Sequence, residues 1–190
     1  MMRSWLLSGL TLSTLFLNVA NAELAPEESR VMTIEAKPTP HWVWVSDVSY
    51  PNFFPGKAHL VDAASGKHLG MLTMRYGLTA LGLPRHDKAI YTLETHYSRM
   101  TRGERTDVVA IWDPRTLEFQ SEIEIPPKKV SGLPLLSFSG VTDDDRFLLL
   151  YNFTPAQSVT VVDLENRQVA GEIETGGCGL VFPADSLAAG

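Results

Sequence analysis

Three segments of the chain repeat one short pattern at a nearly constant interval, and this repeat limits the possible folds more than any other feature. His59-Leu60-Val61-Asp62 runs into Ser65-Gly66-Lys67, Ala110-Ile111-Trp112-Asp113 into Arg115-Thr116-Leu117, and Thr160-Val161-Val162-Asp163 into Glu165-Asn166-Arg167. Each is a strand, an aspartate, a turn and a returning strand. The aspartates lie 51 and 50 positions apart. An aspartate there can close the turn by accepting a hydrogen bond from the backbone two residues on, which explains the residue type without a catalytic role. Several short strands per unit, at a period of about 50, are the mark of β-propeller blades.

The rest of the chain from residue 41 onward agrees. Short β-branched and aromatic runs bounded by Gly, Pro, Asp and Asn predict strands at 42–45, 58–61, 68–74, 89–93, 108–112, 119–125, 147–151, 159–162 and 168–173, and no helix is required. The segments 86–88 and 143–146 read as turns leading into inner strands, and Asp143 to Asp145 lack the spacing of a calcium loop. The expected fold class is all-β, a β-propeller represented by about three blades over 41–190. Because a ring needs at least four blades, the chain is expected to be part of a longer product or a partial ring completed by other chains.

Ahead of the repeat, residues 1–22 carry Arg3, an apolar stretch from Trp5 to Leu17 and the small-residue triplet Ala20-Asn21-Ala22, which reads as a cleavable secretory signal. The stretch is shorter than a membrane span and is broken by Ser8, Thr11 and Ser13. Residues 23–40, rich in charge, Pro and Ala, read as an N-terminal arm. After cleavage, 22 acids face 15 bases, a net charge of −7 with no basic cluster, which argues against nucleic acid or an anionic membrane as partner. Export leaves the single cysteine, Cys178, as a free thiol, an intermolecular bridge, or half of a pair whose other member lies outside the sequence.

Self-contained catalysis has no visible machinery. There is no Gly-x-Ser-x-Gly elbow and no phosphate-cradling loop, and the cluster Gly176-Gly177-Cys178-Gly179 opens no helix. His59 and His68 can face each other across a hairpin, but zinc needs three or four ligands and no third is placed, so no metal site is expected. Trp42 and Trp44 share one face of a strand and read as core. Arg99, Arg102, Glu104, Arg105 and Asp107 form an alternating charge run read as a long connection between blades. Asn152-Phe153-Thr154 meets the glycosylation pattern, with Pro155 following.

The run from Tyr97 through Asp107, continuing through Trp112-Asp113-Pro114 and Thr116-Leu117, resembles the N-terminal part of the heavy subunit of the quinoprotein amine dehydrogenases, the methylamine and aromatic amine dehydrogenases. Supporting segments are Val43-Trp44-Val45-Ser46-Asp47, Leu150 to Ala156, Val161-Val162-Asp163-Leu164-Glu165 and Phe182-Pro183. The resemblance implies a periplasmic α2β2 heterotetramer whose heavy chain is a propeller of about seven blades. It implies that the cofactor, tryptophan tryptophylquinone, is built on the light subunit, which oxidises a primary amine to an aldehyde and ammonia. Electrons then pass to a blue-copper protein of azurin or amicyanin type. The heavy chain would scaffold the light subunit and line the substrate channel without a catalytic group of its own.

The resemblance places Phe53, or its neighbour Phe54, at that channel, within Tyr50-Pro51-Asn52-Phe53-Phe54-Pro55; a loop aromatic packed on the ring surface is the other reading. It makes Arg99, Arg102, Glu104 and Arg105 inter-subunit contacts and pairs Cys178 with a cysteine beyond Gly190. A non-enzymatic periplasmic propeller serving as a binding or assembly module is the alternative function.

Overall fold

In the computed structural model, the described residues are 32–34, 37–47, 56–75, 81–84, 86, 88–129 and 136–184. They form ten strands: β1 (Trp42–Asp47), β2 (Gly56–Asp62), β3 (Lys67–Met74), β4 (Ile90–Arg99), β5 (Arg102–Trp112), β6 (Phe119–Ile125), β7 (Ser139–Val141), β8 (Phe147–Asn152), β9 (Ser158–Asp163) and β10 (Gln168–Glu174). The only helical element among them is a single 3-10 turn at Leu136–Phe138.

The strands make three antiparallel meanders in chain order: β1-β2-β3, β4-β5-β6 and β7-β8-β9-β10. The middle sheet has two buried apolar faces because it is packed between the other two. Ala58, Leu72 and Met74 of the first sheet meet Ile90 of the second, with Trp44 and Trp112 against them. The opposite face of the second sheet, Tyr91, Leu93, Val109, Ile111, Ile123 and Ile125, meets Leu148, Leu150 and Val162 of the third. Small consecutive meanders stacked face to face are β-propeller blades, and three of them are present.

The repeat survives in detail. Asp62 accepts from the Ala64 N–H (3.0 Å) and the Ser65 hydroxyl (2.7 Å). Asp113 accepts from the Arg115 and Thr116 N–H groups (2.7 and 2.8 Å), and Asp163 from those of Glu165 and Asn166 (both 3.0 Å). These donors hold all three carboxyls below the usual carboxylate range, chiefly through the Ser65 hydroxyl for Asp62, the Thr116 amide for Asp113 and the Asn166 amide for Asp163. The fourth residue after each aspartate is left-handed: Gly66 (φ 70°), Leu117 (φ 58°) and Arg167 (φ 53°). A Cβ at Gly66 would meet nothing within 4 Å. Gly66→Val therefore isolates the backbone term, and the expected loss is about 1–2 kcal/mol by thermal unfolding; an unchanged melting temperature would mean that this turn carries no dihedral strain.

Two differences from the sequence reading stand out. The charge run 99–107 is not a connection between blades. It belongs to the hairpin of β4 and β5, with Arg99 paired to Arg102 at the tip. The apolar run of the sequence stops at Leu93 because Glu94, Thr95 and Asp107 are polar, yet all three are buried in the sheet. Second, β8 is not the innermost strand of its blade: the three-residue β7 lies inside it, and Gly82 makes the equivalent single bridge to Tyr91 in the second blade. Gly140 in β7 gives the close approach this requires, since a Cβ there would sit 2.6 Å from the ring of Pro183. Gly140→Ala is expected to cost about 1–3 kcal/mol and to expose the 181–184 segment to limited proteolysis; wild-type resistance would contradict that packing.

Candidate functional site

The β4–β5 hairpin is the longest among the described residues, with strands of 10 and 11 residues. Its length rests on two buried polar relays that replace the missing apolar pairs. On the side facing the first sheet, the Trp112 indole N–H donates to the Thr92 hydroxyl (2.8 Å), which donates to Glu94 (2.7 Å). Glu94 also accepts from the Arg75 backbone N–H (3.0 Å), just beyond β3, and lies 3.3 Å from the His96 Nε2. On the side facing the third sheet, the Lys129 ammonium donates to the Thr95 hydroxyl (2.8 Å), which donates to Asp107 (2.8 Å). A carboxylate buried without such donors would be strongly destabilising.

Arg105 completes the second relay. Its guanidinium grips Asp107 with two parallel bonds, Nε at 2.9 Å and Nη2 at 2.7 Å, and Nη2 also reaches the Lys129 carbonyl (3.0 Å). The bond to Asp107 raises the Arg105 pKa above its ordinary value. Lys129 is 4% exposed, and burial lowers its ammonium to about 8, against the opposing pull of Asp107 and Glu94. The strap carrying Lys128 and Lys129 then ties the hairpin to the third blade: Lys129 bridges Asn152, and the Lys128 carbonyl accepts from the Phe153 N–H (3.0 Å).

Above the relays, Arg75, Thr95, His96, Tyr97, Ser98 and Met100 line an open groove of about 370 Å³. Arg99, Arg102 and Glu104 project from the hairpin tip and are exposed, whereas Arg105 is engaged within the chain. Met100 stands 66% exposed in a left-handed conformation (φ 62°). A second cavity, of about 550 Å³, lies beside Trp42 and Trp44, between Pro38, Leu83 and Pro114.

The remaining candidates separate. Phe53 and Phe54 lie outside the described residues, as do the signal segment and most of the arm, although Ile34 of the arm exchanges backbone and side-chain hydrogen bonds with Arg115 (both 2.8 Å). Cys178 is an exposed free thiol in the turn after β10. His59 and His68 do face each other, 3.2 Å between ring nitrogens, but among the described residues no three His, Cys, Asp or Glu converge as a metal site would require. Asp143 to Asp145 form the expected turn, with Asp144 accepting from the Thr142 hydroxyl (2.6 Å). Asn152 is 1% exposed and donates to Ser158 and Thr160 (2.9 and 2.8 Å), a position that no glycan can reach. Lys129, Met100 and Phe153 were not singled out as site residues; Pro126-Pro127-Lys128-Lys129 carries no periodic signal.

Residues 41–188 match the methylamine dehydrogenase heavy chain family, and the chain belongs to that family. Among its relatives, the methylamine dehydrogenase heavy chain of Paracoccus versutus is 32% identical over 66% of this chain and 29% of its own length. That of Methylobacillus flagellatus is 27% identical over 68% and 34%, and that of Methylorubrum extorquens 36% identical over 48% and 23%. The chain thus spans about a third or less of the relatives it matches. Among solved structures, the β-propeller domain of the trilobed protease from Pyrococcus furiosus aligns with a TM-score of 0.42 and 14% identity, over 65% of this chain and 35% of that one.

Proposed function

We propose that this chain is heavy-subunit material of an exported amine dehydrogenase, acting as scaffold and channel wall for a light subunit that carries the redox group. The observation that carries this reading is family membership over residues 41–188. The light subunit would hold tryptophan tryptophylquinone, which supplies the oxidation of a primary amine to aldehyde and ammonia. Two tryptophans of this chain have structural partners that support this reading: Trp112 donates its N–H to Thr92 and packs edge-on against Phe119 (5.7 Å), and Trp44 packs against the core between the first two blades.

What this chain would contribute is shape and dryness. Phe53, with Phe54 beside it, would form an apolar wall at the channel, where excluding water favours condensation of an amine with a carbonyl over solvation of the charged amine. Arg99, Arg102 and Glu104 would contact the light subunit, with Arg105 bracing them from within through its fork on Asp107. A blue-copper protein would accept the electrons, and Cys178 would pair with a cysteine of the heavy chain beyond residue 190. Export would place the assembly in the periplasm, with N-terminal sequencing of the secreted chain beginning at Glu23; an intact Met1 would contradict export. The test of the reading as a whole is co-expression with a small, cysteine-rich light subunit: stable co-purification is expected, and its failure would favour a non-enzymatic binding module.

A further inference from the structure

The blades of this chain stack with a direction, each turning a leading face toward the blade before it and a following face toward the blade after it. Ala58 and Leu72, on the following face of the first blade, lie against Ile90 and Trp112 on the leading face of the second. Val109 and Ile123, on the following face of the second, lie against Leu148 and Val162 on the leading face of the third. Strand register makes the leading faces equivalent. Val43 opposes Val61 as Ile90 opposes Trp112 and Leu148 opposes Val162, and Val45 opposes His59 as Thr92 opposes Ala110 and Leu150 opposes Thr160. Ile90, Thr92, Leu148 and Leu150 are buried, whereas Val43 is 41% and Val45 51% exposed. The third blade carries the complementary surface. Val159 opposes Ile173 as Val109 opposes Ile123. Ile123 is buried, but Ile173 is 55% exposed, and Leu149, Val159 and Val161 on the same face are half-buried. Among the described residues, one leading face and one following face therefore remain open, and both are apolar.

We propose that two copies of this chain join head to tail, the following face of the third blade in one copy covering the leading face of the first blade in the other. The internal junctions specify this occupant, because each of them pairs a following face with a leading face and neither pairs like with like. A contact between two different patches is heterologous, and it closes into a ring when the rotation permits. Two copies of a three-blade chain bring six blades, within the four to eight of closed propellers, and leave neither face open. Val43, Val45 and Val61 of one copy meet Val159, Val161 and Ile173 of the other, the same β-branched chemistry that fills the junctions inside the chain. His59 stands between Val45 and Met71 across the first sheet, and its ring nitrogen lies 3.2 Å from that of His68, so this polar group is covered with a partner already in place.

Sedimentation velocity on the whole chain tests this, with circular dichroism as the folding check. Wild type is expected at twice the chain mass, dissociating on dilution. Val45→Asp on the leading face and Ile173→Asp on the following face are each expected to weaken association at least tenfold. Mixed in equal amounts, the two variants should regain a two-chain species, because each keeps the open face that the other has lost. A single chain mass for wild type at every concentration would overturn the proposal, and larger species in place of the pair would overturn ring closure. Dissociation by Val45→Asp with none by Ile173→Asp would show two leading faces meeting and overturn the head-to-tail arrangement, as would a mixture that fails to associate. Wild-type association in both variants would overturn the assigned faces. Should either variant lose its β signal, Val43→Asp or Val161→Asp on the same face takes its place. None of these outcomes depends on the light subunit, so the function proposed above stands or falls separately.

Discussion

Asp107→Ala lowers the unfolding free energy of the chain by about 3–5 kcal/mol. Asp107 is fully buried and accepts three hydrogen bonds, one from Thr95 and two from Arg105. Its removal leaves the buried Lys129 ammonium without its nearest opposite charge and releases a guanidinium that also secures the Lys129 carbonyl. Arg105 is part-exposed, so water compensates some of its share, and most of the loss comes from Lys129. Asp107→Asn should recover part of the hydrogen bonding but none of the charge. Denaturant unfolding of the two variants beside wild type checks the ordering; a loss below about 1 kcal/mol for Asp107→Ala would show that the relay is not holding the hairpin.

Lys129→Met changes how stability depends on pH. Burial lowers the folded-state pKa of Lys129 from 10.5 to about 8. Below about 8 both folded and unfolded chains carry the proton, and the cost of burying the charge is fully present. Between about 8 and 10.5 the unfolded chain keeps a proton that the folded chain has released, so this group makes stability rise with pH, by about 3 kcal/mol across the interval. Methionine has no such dependence. Wild type should therefore gain about 3 kcal/mol on the variant between pH 7.5 and pH 10.5; parallel stability curves would mean that Lys129 is solvated.

The blades were legible in the sequence because their signals are local. The aspartate turns at 62, 113 and 163 each depend on a side chain bonding its own backbone two residues on, and that chemistry is visible within four residues. Phe119–Ile125 is legible to the residue, with Ile123 and Ile125 buried on one face and Glu122 and Glu124 exposed on the other. The hairpin was half legible: Val108 to Trp112 is apolar, but the extension to Arg102 is held by Thr95, Asp107 and Lys129, which are 12 and 34 positions from Thr95. No window of neighbouring residues reveals such partners. Asn152 shows the opposite limit: its tripeptide fits a surface motif, while its side chain is buried.

The most direct measurement of the central claim, that this polypeptide supports amine oxidation carried out on a companion chain, is amine-dependent dye reduction by three samples: this chain, the light subunit, and the two co-expressed. Reduction by the co-purified pair with none from this chain is predicted. Amine-dependent reduction by this chain by itself, or a co-purified pair inert toward every primary amine offered, would contradict it.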